Sequence, residues 1–281
     1  MDEPRALLID VGNSNIKLAL ADSSGLRATY VLPTSHQETA DTLGLKVEDI
    51  CRHMGIDAEE ALAWVVSSVV PEYDALFRIA GEKYSRAPVY FVPGDIDLPL
   101  NNQYANPREV GADRLVTAYA ARSLFSEPGL IVVDFGTATT VECVQNSAYW
   151  GGLICPGVHS SLRSLGGGTA KLPRIGLELD SPDLAMGDST VTSLNHGFLF
   201  GFASMVDGLC NRVRPYLQGP VRVVATGGIA ATIAPICPSL ETVRPDLLHR
   251  GLWYACRSLV FGQAPDNGDG RERTENHLEE L

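Results

Sequence analysis

Two stretches of this chain carry the same hydrophobic signature. Ala6-Leu-Leu-Ile9 is an unbroken apolar run that ends in Asp10-Val-Gly-Asn-Ser14, and Leu130-Ile-Val-Val133 is a second that ends in Asp134-Phe-Gly-Thr-Ala138. Short apolar runs bounded by turn residues read as buried strands. In both places a carboxylate, a glycine turn and small polar side chains come next, followed by another strand pattern. This repetition predicts two copies of one half-domain, each turning a carboxylate and a Gly turn toward one shared ligand. A turn without side-chain bulk lets backbone N–H groups reach phosphate oxygens, and a carboxylate holds the accompanying cation. The ligand this suggests is a nucleoside triphosphate with its metal.

The remaining pattern fills in each copy. Strands are expected at Ala6–Val11, Ile16–Ala21 and Arg27–Leu32, and a helix over 36–54 with Ala40, Leu43, Val47, Ile50 and Met54 at helical spacing. Ala63–Val69 reads as a buried strand, Pro71 as a helix start, and Pro88–Val92 as a strand. Asp95–Asn106 reads as a loop and Val110–Phe125 as a helix. The pattern then restarts with strands at Leu130–Asp134, Thr139–Gln145 and Tyr149–Cys155, and a helix over Val158–Leu165. Gly166–Gly168 reads as a flexible loop, to which no chemistry is assigned. A long helix is expected from near Ser189 toward Val213, a strand at Arg222–Ala225, a turn at Thr226-Gly-Gly228 and a last helix at Asp246–Phe261. Each half is three meandering strands, then alternating helices and strands, which is a mixed α/β sheet with helices on its faces. The expected halves are 1–125 and 126–262. The polar stretch 263–281 reads as a disordered tail.

Composition narrows the classes. A chain of 281 residues can build two modest cores, and 45% apolar with 20% charged residues reads as soluble and globular. A net charge of −12 argues against a nucleic-acid-binding surface. The apolar runs are too short and too often broken by Gly, Ser or Pro to span a membrane. Met1–Arg5 leads straight into a strand pattern without the features of a signal peptide, so the expected location is cytoplasmic. The six cysteines include no C-x-x-C pair and are expected to be reduced; the six histidines show no metal-ligand spacing.

The duplication resembles the actin-like ATPase superfamily, whose halves are ribonuclease H-like domains, here expected as a mixed five-stranded sheet in each. Further motifs resemble the type III pantothenate kinases: Tyr104-Ala-Asn-Pro107, Val110-Gly-Ala-Asp-Arg114, Asp134-Phe-Gly-Thr-Ala-Thr-Thr140, Gly151-Gly-Leu-Ile-Cys-Pro-Gly157, Thr169-Ala-Lys-Leu-Pro173 and Gly187-Asp-Ser-Thr190 running to Gly197. Their order follows the family from about residue 6 to residue 261. The resemblance implies transfer of the γ-phosphate of ATP to pantothenate as the first step of coenzyme A synthesis. It also implies a homodimer, Mg2+ with the ATP, and a monovalent cation, K+ or NH4+.

Phosphoryl transfer is mostly positioning and charge stabilisation. The expected ATP cradle is Asp10, Val11, Gly12, Asn13, Ser14, Asn15, Ile16 and Lys17, with Thr137 from the second copy. Asp10 is expected to reach magnesium directly or through its waters. Asp134 resembles the family's monovalent-cation ligand. Asp113, just inside a helix N-terminus that favours an ionised carboxylate, is the expected catalytic base. Tyr104, Gly111, Ala112, Asp113, Arg114 and Thr190 are the expected substrate contacts. Arg114 suits either the pantothenate carboxylate or the γ-phosphate; read structurally, it would pair with Glu109 or Asp113. Thr190 is preferred over Thr192 on spacing, and in a dimer its helix could complete the partner's site. Two rivals stay open, a sugar kinase of the same superfamily and a nucleotide-binding regulator without turnover.

Overall fold

The computed structural model describes residues 5–35, 37–167, 173 and 175–262. The tail expected at 263–281, Gly168 and most of the Thr169–Pro173 motif lie outside them.

The first three strands, β1 (Arg5–Val11), β2 (Asn15–Asp22) and β3 (Gly25–Pro33), form an antiparallel meander. Helix α1 (Ala40–His53) follows. It starts at the first of its apolar positions and not at 36 as expected, because Thr39 closes a capping box with Thr42 and so fixes the N-terminus there. Next come β4 (Ala61–Ser68), α2 (Pro71–Tyr84, with Pro71 in its first turn) and β5 (Val89–Phe91). The sheet order is β3-β2-β1-β4-β5, with β4 and β5 parallel to β1.

The second half repeats this order. After β6 (Asn101–Asn102) and α3 (Ala112–Leu124) come β7 (Gly129–Phe135), β8 (Ala138–Gln145) and β9 (Ala148–Pro156) as a meander. Then follow α4 (Val158–Gly167), α5 (Thr190–Val213), β10 (Val221–Gly227), α6 (Ala230–Ile233), β11 (Thr242–Val243) and α7 (Leu247–Val260). Its sheet order is β11-β10-β7-β8-β9-β6. Read in reverse, β9-β8-β7-β10-β11 matches β3-β2-β1-β4-β5 position for position. The expectation of five strands therefore holds for the first sheet and is corrected to six for the second. The extra strand, β6, comes from the stretch read as a loop and pairs with β9 through only two residues, too few to show alternation.

Strand alternation divides the core into layers. Leu7, Ile9 and Val11 pack with residues of α1 and α2, while Ala6 and Leu8 pack with residues of α3 and α7. In β7, Ile131, Val133 and Phe135 face α5 and α6, while Leu130 and Val132 pack with α3. Helices α3 and α7 thus lie between the two sheets. They approach closely: a Cβ on Gly251 of α7 would sit 2.4 Å from the Val116 carbonyl oxygen. The last helix returns from the second half to pack on β1, β3 and β4 of the first. All six cysteines are free thiols, and no described helix is long and apolar enough to cross a membrane.

Candidate active site

The alternation that builds the layers also aims the aspartates. Asp10 shares its strand face with Ala6 and Leu8, and Asp134 shares its face with Leu130 and Val132, so both carboxylates point inward between the sheets. Each sits where its strand runs into a tight turn: Gly12 N–H donates to the Asn15 carbonyl at 3.0 Å, and Gly136 N–H to the Ala138 carbonyl at 3.0 Å. The two turns meet, with Ser14 Oγ and Thr137 Oγ1 3.0 Å apart. Together they wall a cleft of about 390 Å3. Asp10, Gly12, Asn13, Ser14, Asn15, Lys17, Asp113, Arg114, Asp134 and Thr137 all line it.

The turns are fixed from behind. Thr34 Oγ1 donates to the Gly12 carbonyl at 2.7 Å. Ser160 Oγ, on the first turn of α4, donates to the Thr137 carbonyl at 2.8 Å. Gly157 packs so tightly there that a Cβ would lie 2.1 Å from the Thr137 carbonyl oxygen. Gly227 (φ +95°) lies against Asp134, where a Cβ would come within 2.7 Å of Oδ1. Buried His249 of α7 hydrogen-bonds the Lys17 carbonyl oxygen at 3.3 Å, tying the last helix to the first hairpin. Burial pushes the His249 pKa down to about 4, so the ring is neutral near pH 7.

Three carboxylates, Asp10, Asp113 and Asp134, share this space with Lys17, Arg114 and Arg163. Burial raises the Asp10 pKa to about 7; Lys17, 3.8 Å away, opposes the rise, and Asp113 and Asp134 add to it. Burial likewise lifts Asp134 to about 6, again opposed by Lys17 and assisted by Asp113 and Glu142. Asp113 is also raised, chiefly by burial; the Arg114 backbone N–H at 2.8 Å and the Arg114 charge oppose it. Carboxylates held near neutrality can exchange protons or accept a cation. Among the described residues, no group of three or more His, Cys, Asp or Glu side chains is placed to hold a metal ion by itself. A cation here would draw on ligand oxygens and water as well as on Asp10, the manner of a hard ion that keeps part of its hydration shell.

At the other end of the cleft, Gly111 caps α3 and leaves room for the Asp113 carboxylate, to which a Cβ would come within 2.5 Å. Arg114 pairs with neither Glu109 nor Asp113 through its side chain. Its guanidinium forms a two-pronged ion pair with Glu142 of β8, at 2.7 and 2.8 Å. Glu109 instead accepts from Asn106 at 2.8 Å. Tyr104 lies beside the pair, with its ring centroid 5.9 Å from the guanidinium carbon.

Six expected contacts do not line the cleft. Val11 and Ile16 are core residues, so only their backbone can serve a ligand. Gly111 and Ala112 precede Asp113 at the start of α3, and Tyr104 lies beside Arg114. Thr190 occupies the exposed first position of α5, whose N-terminus is capped by Ser189 and Thr192; the Thr192 hydroxyl is used in that cap. The sequence reading missed Glu142, Ser160 and Arg163. Arg163 lines the cleft and has no carboxylate partner among the described residues. A glutamate in the middle of a buried strand was a readable signal, since a buried charge needs a partner.

Chemically, the cleft can seat an anionic chain against two turns and hold a hydroxyl beside Asp113. A family profile described as type III pantothenate kinase matches residues 6–212. A type III pantothenate kinase of Oleidesulfovibrio alaskensis is 52% identical over 247 residues, covering 88% of this chain and 94% of that protein. One from Myxococcus xanthus is 39% identical over 258 residues, covering 92% and 98%. Among solved structures, a Campylobacter jejuni protein assigned to the Baf family of transcriptional activators superposes with a TM-score of 0.57 at 18% identity, covering 90% of this chain and 98% of its own. The ethanolamine utilization protein EutJ of Carboxydothermus hydrogenoformans gives 0.52 at 14%, covering 90% of each. At such low identity these two bear on the fold alone.

Proposed function

This chain belongs to the type III pantothenate kinase family, and we propose from that membership that its cleft carries the γ-phosphate of ATP to the primary hydroxyl of pantothenate, giving 4′-phosphopantothenate, the first step of coenzyme A synthesis. The observation that carries the reading at atomic level is the meeting of the two repeated turns, Ser14 against Thr137, with Asp113 on the same cleft.

The roles follow from position. The turn at Gly12–Asn15 and the turn at Gly136–Thr137 cradle the phosphates, with Lys17 and Arg163 as the nearby cations. Magnesium bound with ATP would spread the charge on the transferring phosphoryl group, and Asp10 is the residue placed to hold it, chiefly through water. Asp134 would hold a monovalent cation beside the second turn, as the family resemblance implies. Asp113 orients the acceptor hydroxyl and takes its proton late in the transfer. Arg114 serves the acceptor's carboxylate.

A coupled ADP-release assay with pantothenate, ATP, Mg2+ and K+ tests this reading. Turnover with pantothenate and none with common hexoses is expected, with little activity when Na+ replaces K+. Turnover of hexoses alone would overturn the substrate assignment, and equal rates in the two salts would remove the cation from Asp134.

The working unit is a homodimer in the cytoplasm. Ile154 on β9 and Leu184 and Met186 ahead of α5 are largely exposed apolar side chains, as an interface between copies requires. Thr190 stands away from its own chain's cleft, which suits a contribution to the partner's site. Mixing Asp113→Asn with Thr190→Ala protein tests this. Recovered activity supports sharing between protomers, and no recovery contradicts it.

A further inference from the structure

We propose that Glu142, backed by Tyr149, is a positioning residue that fixes which edge of Arg114 meets the acidic acceptor. This rests on the kinase reading above.

Glu142 lies on the inner face of β8 and is only 1% exposed. Its Oε1 accepts from Arg114 Nε at 2.7 Å, its Oε2 accepts from Arg114 Nη2 at 2.8 Å, and the Tyr149 hydroxyl donates to Oε2 at 2.6 Å. The backbone is shaped around this network. A Cβ on Gly152 would fall 2.5 Å from Glu142 Oε2 and 2.2 Å from the Val141 carbonyl oxygen. Gly151, at φ +95°, leaves the space taken by the Tyr104 ring, which a Cβ would meet at 2.9 Å. Two adjacent glycines therefore admit the carboxylate and the aromatic ring that flank Arg114.

Stability alone does not account for such a pair. A buried ion pair is often no more stabilising than an apolar pair of the same shape, because both charges must be desolvated. What distinguishes this pair is its place: Arg114 lines the cleft and Glu142 stands behind it. A guanidinium has five N–H donors in a fixed plane. Glu142 occupies the Nε–Nη2 edge and Tyr104 also hydrogen-bonds the Arg114 side chain, which leaves the Nη1–Nη2 end as the one a ligand in the cleft would meet. Arg114 is then a held donor pair rather than a loose cation, with its orientation settled before substrate arrives.

This makes a prediction of definite sign. If Glu142 only tempered the Arg114 charge, Glu142→Gln would free that charge and tighten an anionic acceptor. If Glu142 positions Arg114, the same change loosens it. The expected result for Glu142→Gln is a rise in KM for pantothenate of about tenfold, with KM for ATP changed much less. Tyr149→Phe, which keeps the ion pair but loses one hydrogen bond, is expected to move the pantothenate KM the same way by about threefold. The amide of pantothenate, which lacks the carboxylate, should lose far less, so the preference for acid over amide falls in both variants. Wild-type turnover of pantothenate, measured alongside, separates failure of this proposal from failure of the kinase reading. An unchanged or lower pantothenate KM in Glu142→Gln, or equal rises for both substrates, overturns the proposal. If Glu142→Gln does not fold, Tyr149→Phe decides by the same criteria.

Discussion

Asp113→Asn is expected to bind ATP and pantothenate nearly as the unmodified protein does and to turn over roughly 10²-fold more slowly or worse. The expectation comes from where the carboxylate sits. It lies in the first turn of α3, and Gly111 leaves it room to face the cleft. Burial raises its pKa, which brings it closer to the range where a base is both ionised and willing to take a proton. Asparagine keeps the shape and can still hold the hydroxyl, but it cannot receive the proton. The base must be ionised to act, so wild-type kcat/KM should fall as pH drops through the raised Asp113 pKa, and that limb should vanish in the variant. Calorimetric binding together with steady-state rates checks both halves. Normal turnover in Asp113→Asn would remove Asp113 from the base role.

Asp10→Asn is expected to abolish turnover and, at the same time, to stabilise the ligand-free protein at neutral and alkaline pH. Asp10 has a folded pKa of about 7 against an ordinary value of 3.8, mainly because it is buried. A carboxyl with a raised folded pKa contributes its full stability below the unfolded value and loses it as pH climbs through the folded one. The cost of ionised Asp10 therefore grows from about pH 4 to about pH 7 and then levels off. One pKa unit corresponds to about 1.4 kcal/mol, so the cost at pH 8 is on the order of a few kcal/mol. Asparagine removes it. The Tm difference between variant and wild type should be small near pH 4, widen up to pH 7 and hold beyond. A difference that is flat with pH, or that narrows on raising pH, contradicts this view of Asp10. The energy set aside there is what a bound cation would recover, which is why the same change is expected to remove activity.

How much of this was legible in the sequence depended on how local the cause was. The paired turns at Asp10 and Asp134 were readable because an apolar run, an aspartate and a glycine lie side by side in the chain. That both turns serve one ligand was an expectation from the duplication; the strand face that carries each carboxylate and the contact of Ser14 with Thr137 are seen only in the structure. The expected start of α1 at 36 took in the polar residues 36–39, whereas the apolar spacing begins at Ala40, right after the cap at Thr39. The strands β6 and β11 span two residues each, too short for any pattern. The return of α7 onto the first sheet depends on its packing with α3, β1 and β4, which lie far away in the chain and leave no local mark on its sequence. The partner of Arg114 was sought nearby in sequence, at Glu109 and Asp113, whereas it lies on β8 across the fold. Thr190 carries no local sign of which chain's cleft it serves.

In the proposed mechanism two facing turns grip a triphosphate and aim its terminal group at an alcohol beside Asp113. A crystal structure with a non-hydrolysable ATP analogue, Mg2+ and pantothenate reads this directly. The γ-phosphate is expected between the Gly12–Ser14 and Gly136–Thr137 turns, with the pantothenate hydroxyl in hydrogen-bond reach of the Asp113 carboxylate. A nucleotide seated outside this cleft, or a hydroxyl turned away from Asp113, would contradict it.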